Sequence, residues 1–355
     1  MKKSLFIVLL GLFFWGCESQ ESNNVIKAYV TLQGADKVAV IDVDNQVLLK
    51  EVSVDMSDIL DMPHFVVIDE THGYWYVTLI SSGYVLKFDL KTDDMVDSVF
   101  IGNQPALMAL DEERQLLYVS RFMPQGGMTA TSSREIHQID CTTMTIRGTV
   151  DVGASSPHGI ALAPGGATVW VSSNQASHFF RIDTSGFNQP NYQPEAFKID
   201  QNVPTDYTIN DALYNPLQVI LDPTGSTLYV TCSRTGEVRA FETDTGVLLA
   251  TYPVGNTPWH LAIDPGGDWL YVANRGSADV SRINLQTTAT DSLVNDDFEL
   301  LQGCALSADG STLIVTASGK DKIHFIDAAV FTLTTTISLE KDAMPTGVAI
   351  AEEAF

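Results

Sequence analysis

The fold of this chain is decided by one stretch of sequence, Pro258-Trp-His-Leu-Ala-Ile-Asp-Pro-Gly-Gly-Asp-Trp-Leu-Tyr271-Val272-Ala273-Asn274. It contains an apolar run, a Gly-rich turn and a second run of β-forming residues, and this order predicts a β-hairpin. A proline stands thirteen residues before an aromatic-valine pair in five places: Pro63 and Tyr76, Pro105 and Tyr118, Pro157 and Trp170, Pro216 and Tyr229, and Pro258 and Tyr271. The constant spacing indicates that one structural unit is repeated.

The repeated unit has the length and the strand content of a β-propeller blade. The aromatic-valine pairs recur every 42 to 59 residues, at Tyr29, Tyr76, Tyr118, Trp170, Tyr229 and Tyr271, and Ile314-Val315 is a degenerate seventh pair. In most units a third β-run ends on an acid or an amide, and a fourth apolar run follows it, so that each unit supplies four strands. Sheets of this size cannot bury their own faces, whereas seven of them arranged in a ring can.

The two ends of the chain are predicted to share one blade. The first unit begins at its second strand, Ala28-Tyr29-Val30-Thr31, whereas the chain ends with an unpartnered inner-strand sequence, Pro345-Thr-Gly-Val-Ala-Ile350. We therefore predict an all-β, seven-bladed β-propeller with four-stranded blades, in which the C-terminal strand completes the N-terminal blade. This closure leaves no open sheet edge. A closed ring is one domain, with predicted limits at residues 25–355.

The repeats resemble those of the YVTN-repeat family of seven-bladed β-propellers. The resemblance is carried by Tyr29-Val-Thr, Tyr76-Val-Thr, Tyr229-Val-Thr and Tyr271-Val-Ala-Asn274, and it covers nearly all of the mature chain. It implies the propeller fold. It implies ligand-binding and extracytoplasmic scaffold roles as readily as enzymatic ones, because a fold does not by itself determine function.

The N-terminus resembles a bacterial lipoprotein signal. Lys2 and Lys3 precede an apolar stretch, residues 5–15, that is too short to span a bilayer, and Gly16-Cys17 follows it. The resemblance implies that Cys17 is lipidated and becomes the mature N-terminus. We therefore predict a signal peptide over residues 1–16, a lipidated Cys with a flexible polar tether over residues 17–24, and an anchor in the cell envelope, on the periplasmic or the surface side of the outer membrane. An ordinary secretory signal is the alternative.

The composition argues against nucleic acid as a partner. The chain has 44 acidic and 20 basic residues, for a formal net charge of −24. Loss of Lys2 and Lys3 with the signal leaves 18 basic residues and a charge of −26. A protein that binds a phosphate backbone draws on a basic surface, which this chain lacks. The acidic charge is typical of a soluble surface, or it steers cationic ligands.

Side chains with binding chemistry are predicted to meet on the channel-mouth face, which we define as the face where the inner strands begin. The starts of these strands carry His64, His158, Gln218, Trp259, His260 and Gln302. Second strands are followed on the same face by Arg121, Arg234 and Arg275. Three histidines and three arginines would form a local positive patch. Since Arg offers paired donors, the patch would suit a carboxylate or a phosphate.

The longest departures from the repeat are also predicted on the channel-mouth face. They are an insertion over residues 123–134 and a connection over residues 201–215, which contains Tyr207 and Tyr214. Long loops with aromatic residues on a rigid scaffold are typical of binding sites. The alternative is that these loops only cover an apolar edge.

The sequence assigns no catalytic residue, metal or cofactor. Each of the three channel histidines is either a hydrogen-bonding residue of its blade or a zinc or copper ligand, and no fourth ligand is evident. The inner strands contain no Asp or Glu before their turns, so a lactonase-like hydrolase would need carboxylates from loops. Cys141, Cys232 and Cys304 are odd in number and are predicted to be small buried fillers without a disulfide.

Three functions are open, and the sequence favours the first, which is not enzymatic. It is a monomeric extracytoplasmic lipoprotein that binds a small molecule or a partner protein at the channel-mouth face. One version of it, by fold analogy, captures a corrinoid nutrient together with an outer-membrane transporter. The second function is a lactonase-like hydrolase. The third is a redox or metal accessory protein that resembles the propeller domains of haem d1 or copper enzymes.

Overall fold

Seven antiparallel four-stranded sheets form the protein in a computed structural model that describes residues 25–102, 104–122, 134–211 and 213–354. This confirms the predicted seven-bladed all-β propeller. The predicted signal peptide, Cys17 and tether lie outside the described residues. Among the described residues, no helix is both long enough and apolar enough to cross a membrane.

The first four blades, given from the channel outward, are as follows. Blade 1 contains β28 (Pro345–Ala354), β1 (Ile26–Leu32), β2 (Lys37–Asp42) and β3 (Val47–Ser53). Blade 2 contains β4 (Pro63–Asp69), β5 (Tyr74–Leu79), β6 (Tyr84–Asp89) and β7 (Met95–Phe100). Blade 3 contains β8 (Pro105–Asp111), β9 (Leu116–Arg121), β10 (Glu135–Asp140) and β11 (Thr145–Asp151). Blade 4 contains β12 (Pro157–Leu162), β13 (Thr168–Ser173), β14 (His178–Asp183) and β15 (Glu195–Lys198), with a short 3-10 helix at Thr184–Asn188.

The last three blades repeat the same order. Blade 5 contains β16 (Pro216–Leu221), β17 (Thr227–Cys232), β18 (Glu237–Glu242) and β19 (Leu248–Pro253). Blade 6 contains β20 (Pro258–Ile263), β21 (Trp269–Asn274), β22 (Asp279–Asn284) and β23 (Thr290–Val294). Blade 7 contains β24 (Leu301–Leu306), β25 (Thr312–Ala317), β26 (Lys322–Asp327) and β27 (Thr332–Ser338).

The ring is closed by the C-terminal strand, as the sequence predicts. Strand β28 pairs antiparallel with β1 and is the inner strand of blade 1. The pairing places Ala28 opposite Ile350 and Val30 opposite Val348. This strand covers the edge of β1 that no N-terminal strand pairs with among the described residues, and it joins the two ends of the chain in one blade.

The apolar core lies between adjacent blades. One buried cluster joins Tyr118 of blade 3 to Phe180 of blade 4, and similar clusters occupy the other blade interfaces. The three cysteines of the described residues are free and buried within these blades, which confirms their predicted role as fillers. The aromatic-valine pairs are thus buried packing positions of the second strands.

In six of the seven blades, the residue that follows the aromatic-valine pair, or Ile314-Val315 in blade 7, has a hydroxyl group that joins neighbouring blades. In blade 4, Ser172 Oγ accepts a hydrogen bond from the Gly159 N–H of its own inner strand (3.1 Å) and donates one to the Leu217 carbonyl of blade 5 (3.0 Å). The same two bonds are made by five further residues: Thr31, Thr78, Ser120, Thr231 and Thr316. Blade 6 carries Ala273 at this position and makes neither bond.

The residue before each inner strand adopts a left-handed backbone conformation. The seven φ angles are 59° at Met62, 64° at Gln104, 57° at Ser156, 47° at Asn215, 53° at Thr257, 50° at Leu300 and 51° at Met344. Each of these non-glycine residues costs roughly 1–2 kcal/mol. The carbonyl of each accepts a backbone hydrogen bond from the residue that follows the second strand, as Thr257 does from Arg275 at 2.9 Å. This turn therefore couples the start of each inner strand to the channel-mouth loop of the same blade.

Replacing Thr316 by valine should destabilise the propeller. The substitution keeps the shape but leaves the buried Gly303 N–H and Thr346 carbonyl without the hydroxyl that now satisfies both, at 2.7 Å each. We expect a loss of about 1–3 kcal/mol in the free energy of unfolding, measured by urea titration. The control is Thr332→Val on the exposed outer strand, which should change stability by less than about 0.5 kcal/mol. Equal stability of the two variants would contradict the role of the hydroxyl.

Candidate functional site

Three histidines from alternate blades meet in the channel near the channel-mouth face. They are His64 of blade 2, His158 of blade 4 and His260 of blade 6, with exposed fractions of 6%, 0% and 3%. The ring centre of His158 lies 5.9 Å from that of His64 and 6.4 Å from that of His260. The structure thus brings together three residues that the sequence places on different inner strands.

A β-bulge at the start of each inner strand explains how these rings meet. His64 and His158 follow their proline directly, whereas His260 comes one residue later, so a regular strand would point them to opposite faces. The pairing register shifts after Pro63, after Pro157 and after Pro258. A bulge re-aims side chains locally, which removes the strict alternation.

The hydrogen bonds of the three rings leave one nitrogen of each without a protein partner. His158 Nδ1 lies 3.0 Å from the Leu217 carbonyl, which can only accept, so this nitrogen carries the proton. His64 Nδ1 lies 3.3 Å from Gln33 Nε2. The Nε2 atoms of His64, His158 and His260 are buried and form no hydrogen bond among the described residues.

Burial keeps the three imidazoles neutral. It lowers the pKa of His64 to about 4 and that of His260 to about 3, and it lowers the pKa of His158 well below its ordinary value. The neighbouring imidazoles lower the pKa of His158 and His260 further, because two protonated rings would repel each other. The histidines therefore add no positive charge at pH 7, in contrast to the positive patch expected from the sequence.

Aromatic side chains surround the three imidazoles. The Phe122 ring lies 4.4 Å from that of His158, the Trp259 ring lies 6.4 Å from it, and the Phe65 ring lies 5.9 Å from that of His260. Phe122 was not among the residues predicted from the sequence, although it directly follows a second strand, which is the same signal that identified the arginines. Phe65 was missed because alternation along a regular strand would turn it away from the channel.

A cavity of about 620 Å³ lies beside the inner strands of blades 1, 2 and 3. Phe65, Met108 and Val348 are among the inner-strand residues that line it. Glu70 and Glu112 lie at its rim, in the turns that follow two inner strands. Because inner strands begin at the channel-mouth face, these two carboxylates lie toward the opposite face of the ring.

The three predicted arginines have different environments. Arg121 is the last residue of β9, is only 8% exposed, and has its Nη1 2.8 Å from Glu135 Oε2, so its charge is used in an ion pair within blade 3. Arg234 is exposed. The Arg275 guanidinium lies 5.0 Å from the centre of the Trp259 ring, and its Nε is buried without a hydrogen-bond partner among the described residues. Burial lowers the pKa of Arg275.

Two arginines differ from the others because they form no ion pair among the described residues. Seven of the nine arginines in the chain form an ion pair with a carboxylate, namely Arg114, Arg121, Arg134, Arg147, Arg181, Arg239 and Arg282. Within the described part of the chain, Arg234 and Arg275 form none. Both follow second strands and lie on the channel-mouth face.

The two glutamines of the predicted site form hydrogen bonds between blades or within a blade. Gln218 Oε1 accepts a hydrogen bond from the Leu261 N–H of the next blade at 2.6 Å. Gln302 Nε2 donates to Ser318 Oγ at 3.0 Å within blade 7. Both side chains are buried. Their polar groups are therefore engaged in contacts within the protein.

The long connection over residues 201–215 packs onto the blades. The Tyr207 ring lies 5.4 Å from that of Phe180, and the Arg239 guanidinium lies 4.5 Å from the Tyr214 ring. These contacts favour the alternative in which the loop covers an apolar surface. The other long loop predicted from the sequence spans residues 123–134, and residues 123–133 of it lie outside the described residues.

The stability of the protein should fall as the pH falls below about 6.5. The pKa of histidine in an unfolded chain is about 6.5, whereas those of His64 and His260 in the folded protein are about 4 and about 3. The stability contributed by each neutral ring is thus fully present above about pH 6.5 and is lost as the pH falls through the folded pKa. Between about pH 7 and about pH 5, each ring should lower the free energy of unfolding by up to about 2 kcal/mol.

Urea titrations at these two pH values test this prediction. Since glutamine does not titrate, the His64→Gln variant should lose less stability between them than the parent loses. A parent and a variant with the same pH dependence would contradict the low pKa of His64.

Comparisons with known proteins identify other proteins that have the same fold as this chain. Residues 197–343 match the family model described as Lactonase, 7-bladed beta-propeller. No curated protein matches the chain. Among solved structures, the hydrazine synthase of Kuenenia stuttgartiensis is 15% identical, with a TM-score of 0.65, over 84% of this chain and 97% of that chain.

Two further solved structures are similar to the whole propeller. A Bacteroides uniformis protein classed provisionally as a 6-phosphogluconolactonase is 15% identical, with a TM-score of 0.67, over 92% of this chain and all of that chain (100%). Apo AztD from Citrobacter koseri is 14% identical, with a TM-score of 0.62, over 94% of this chain and 99% of that chain. At these identities the likeness concerns the fold alone. This chain is thus a seven-bladed β-propeller whose C-terminal part matches the lactonase propeller model.

Proposed function

We propose that this protein is a non-catalytic propeller lipoprotein of the cell envelope that binds an anionic ligand at its channel-mouth face. The ligand is a carboxylate or phosphate compound, or an acidic patch of a partner protein. One observation carries the proposal. In a chain of net charge −24, the two arginines without an ion pair among the described residues, Arg234 and Arg275, both lie on this face.

The environment of Arg275 supports an anion as the ligand. Its guanidinium is half-buried against Trp259, and its Nε is cut off from solvent without a partner among the described residues. A buried charge without a counter-charge is costly, and an anion that accepts its hydrogen bonds removes that cost. Stacking on an aromatic ring holds the planar guanidinium in place, so that it presents its donors in a fixed direction.

Replacing Arg234 and Arg275 by alanine should weaken anion binding. Each lost charge-assisted contact should reduce affinity about ten- to hundredfold. Binding is measured by calorimetry with inorganic phosphate and with succinate, after a thermal-shift screen of larger carboxylates, corrinoids and haems. The control is Arg147→Ala, which removes the same charge from an exposed outer-strand residue.

The control variant should bind like the parent, and all three proteins should unfold at similar temperatures. If the double variant binds every anion as tightly as the parent does, the channel-mouth arginines are ordinary surface residues.

Cys17→Ser should release the protein from membranes. Lipidation requires the thiol, so the variant should move from the membrane fraction to the soluble extracytoplasmic fraction while the propeller stays folded. Fractionation followed by immunoblotting measures this, and limited proteolysis reports folding. Equal membrane retention of the parent and the variant would contradict the lipid anchor.

A lactonase-like hydrolase is the second candidate function. It is favoured by the match of residues 197–343 to the lactonase model and by the cavity of about 620 Å³ with Glu70 and Glu112 at its rim. Two carboxylates beside a cavity could supply a general base or bind a divalent ion. Release of acid from sugar lactones by the parent, lost in Glu112→Gln and kept in Arg275→Ala, would favour this function over the first. Absence of turnover, with or without added divalent ions, would exclude lactone substrates of this class.

A further inference from the structure

We propose that the Nε2 atoms of His64, His158 and His260 bind one divalent transition-metal ion of the zinc class inside the channel. The three rings come from alternate blades, and the Nε2 of each is buried without a hydrogen-bond partner among the described residues. The site goes beyond the anion-binding function, because it uses different residues and takes a ligand of opposite charge.

The unsatisfied nitrogens are the first support for a metal ion. A buried polar atom without a partner costs about 1–3 kcal/mol, and here three such atoms lie in one layer of the channel. His158 Nε2 has a free lone pair because its Nδ1 carries the proton, whereas His64 Nδ1 faces the amide nitrogen of Gln33, which can only donate, so His64 Nε2 carries the proton in this arrangement. Neutral imidazoles are the common protein ligands of zinc and copper, and His64 becomes such a ligand when its proton moves to Nδ1 or the Gln33 amide turns its oxygen toward the ring. A cation bound by all three rings would then satisfy all three Nε2 atoms.

The second support is the contact behind His158. Its Nδ1–H donates to the Leu217 carbonyl at 3.0 Å, so that Nε2 keeps a free lone pair. Metal-binding histidines usually donate their other N–H to a carbonyl or a carboxylate in this way, which fixes the ring and raises the basicity of the ligating nitrogen. Leu217 is also the residue whose carbonyl accepts the Ser172 hydroxyl, so this contact is built into the blade interface.

The three rings must move closer together to hold one ion, because their nitrogens do not all lie within 4.8 Å of one another in this structure. With zinc–nitrogen bonds of about 2.0–2.1 Å in tetrahedral geometry, ring centres lie roughly 5 Å apart. The observed values of 5.9 and 6.4 Å are roughly 1 Å longer, which side-chain torsions can supply. Three histidines leave a fourth position open, as in zinc sites that bind water or an exogenous ligand.

A group of three carboxylates elsewhere in the protein does not support a second metal site. Oxygens of Asp36, Asp55 and Asp61 lie close together, but Asp36 accepts the N–H groups of Asp61 and Met62 at 2.9 Å each. Asp61 in turn accepts backbone N–H groups of its own loop. Backbone donors therefore already satisfy two of these three carboxylates.

Metal titration of the full-length protein tests the proposal. After treatment with a chelator, the parent should bind one Zn²⁺ per chain by calorimetry and by elemental analysis. His64→Gln, His158→Gln and His260→Gln should each lose at least about tenfold in affinity, because even loss of an outer-shell partner costs about 10- to 100-fold. The matched control is His324→Gln. His324 is also fully buried with an unpartnered Nε2, and its Nδ1 lies 3.0 Å from Thr336 Oγ1, but it belongs to an outer layer of blade 7.

A spectroscopic measurement on the unaltered protein keeps the test independent of how the variants fold. Co²⁺ bound by three imidazoles in a four-coordinate site gives intense visible absorption, whereas Co²⁺ on surface carboxylates gives only weak bands. Intense bands at one equivalent support the site. Weak bands, no stoichiometric Zn²⁺ binding, or equal affinity in the three variants and the control would each overturn it.

The two proposed ligands can be separated. Arg234→Ala with Arg275→Ala should leave Zn²⁺ affinity unchanged within about twofold, since neither side chain is a ligand. Phosphate binding should likewise persist in His260→Gln in the absence of metal. Failure of anion binding with retained Zn²⁺ binding would contradict the proposed function only, and the reverse result would contradict the metal site only.

Discussion

The hydroxyl hydrogen bonds between inner strands are the interaction on which the rest of this structure depends. In six of the seven blades a Ser or Thr of the second strand binds its own inner strand and the inner strand of the next blade. These bonds set the distance between inner strands, and therefore the width of the channel. A channel of this width brings side chains from alternate blades within about 6 Å of one another, as His64 and His158 show. The candidate metal site is thus a consequence of how the ring is held together.

Neutral imidazoles and a charged guanidinium lie close together on the channel-mouth face, and they differ in how deeply they are buried. The imidazoles are buried deeply enough to stay neutral, which is the protonation state of a metal-binding histidine. Arg275 is less deeply buried and keeps its charge, because the intrinsic pKa of a guanidinium lies far above neutral pH. Trp259 lies between the two, with its ring near both Arg275 and His158.

The similar propellers share only their fold with this chain, so its function has to be inferred from its own side chains. At 14 to 15% identity, shared blades do not imply shared sites. The residues that argue for a function here are few: two arginines without ion pairs, three neutral imidazoles, and two glutamates at the far rim of the cavity. Each group points to a different chemistry and can be tested without reference to the others.

The sequence by itself determined the number of blades, the closure by β28 and the identity of the channel-mouth residues, because a repeated local pattern fixes which residue starts each inner strand. Only the tertiary structure decided what those residues do. Arg121 pairs with Glu135, and Tyr207 packs beside Phe180, through contacts between segments that no local pattern relates. His260 meets His158 because a bulge cancels strand alternation, and the rings are neutral because neighbouring blades exclude water from them. Spacing along the chain predicts position, whereas side-chain direction, ion pairing and protonation depend on contacts made across the ring.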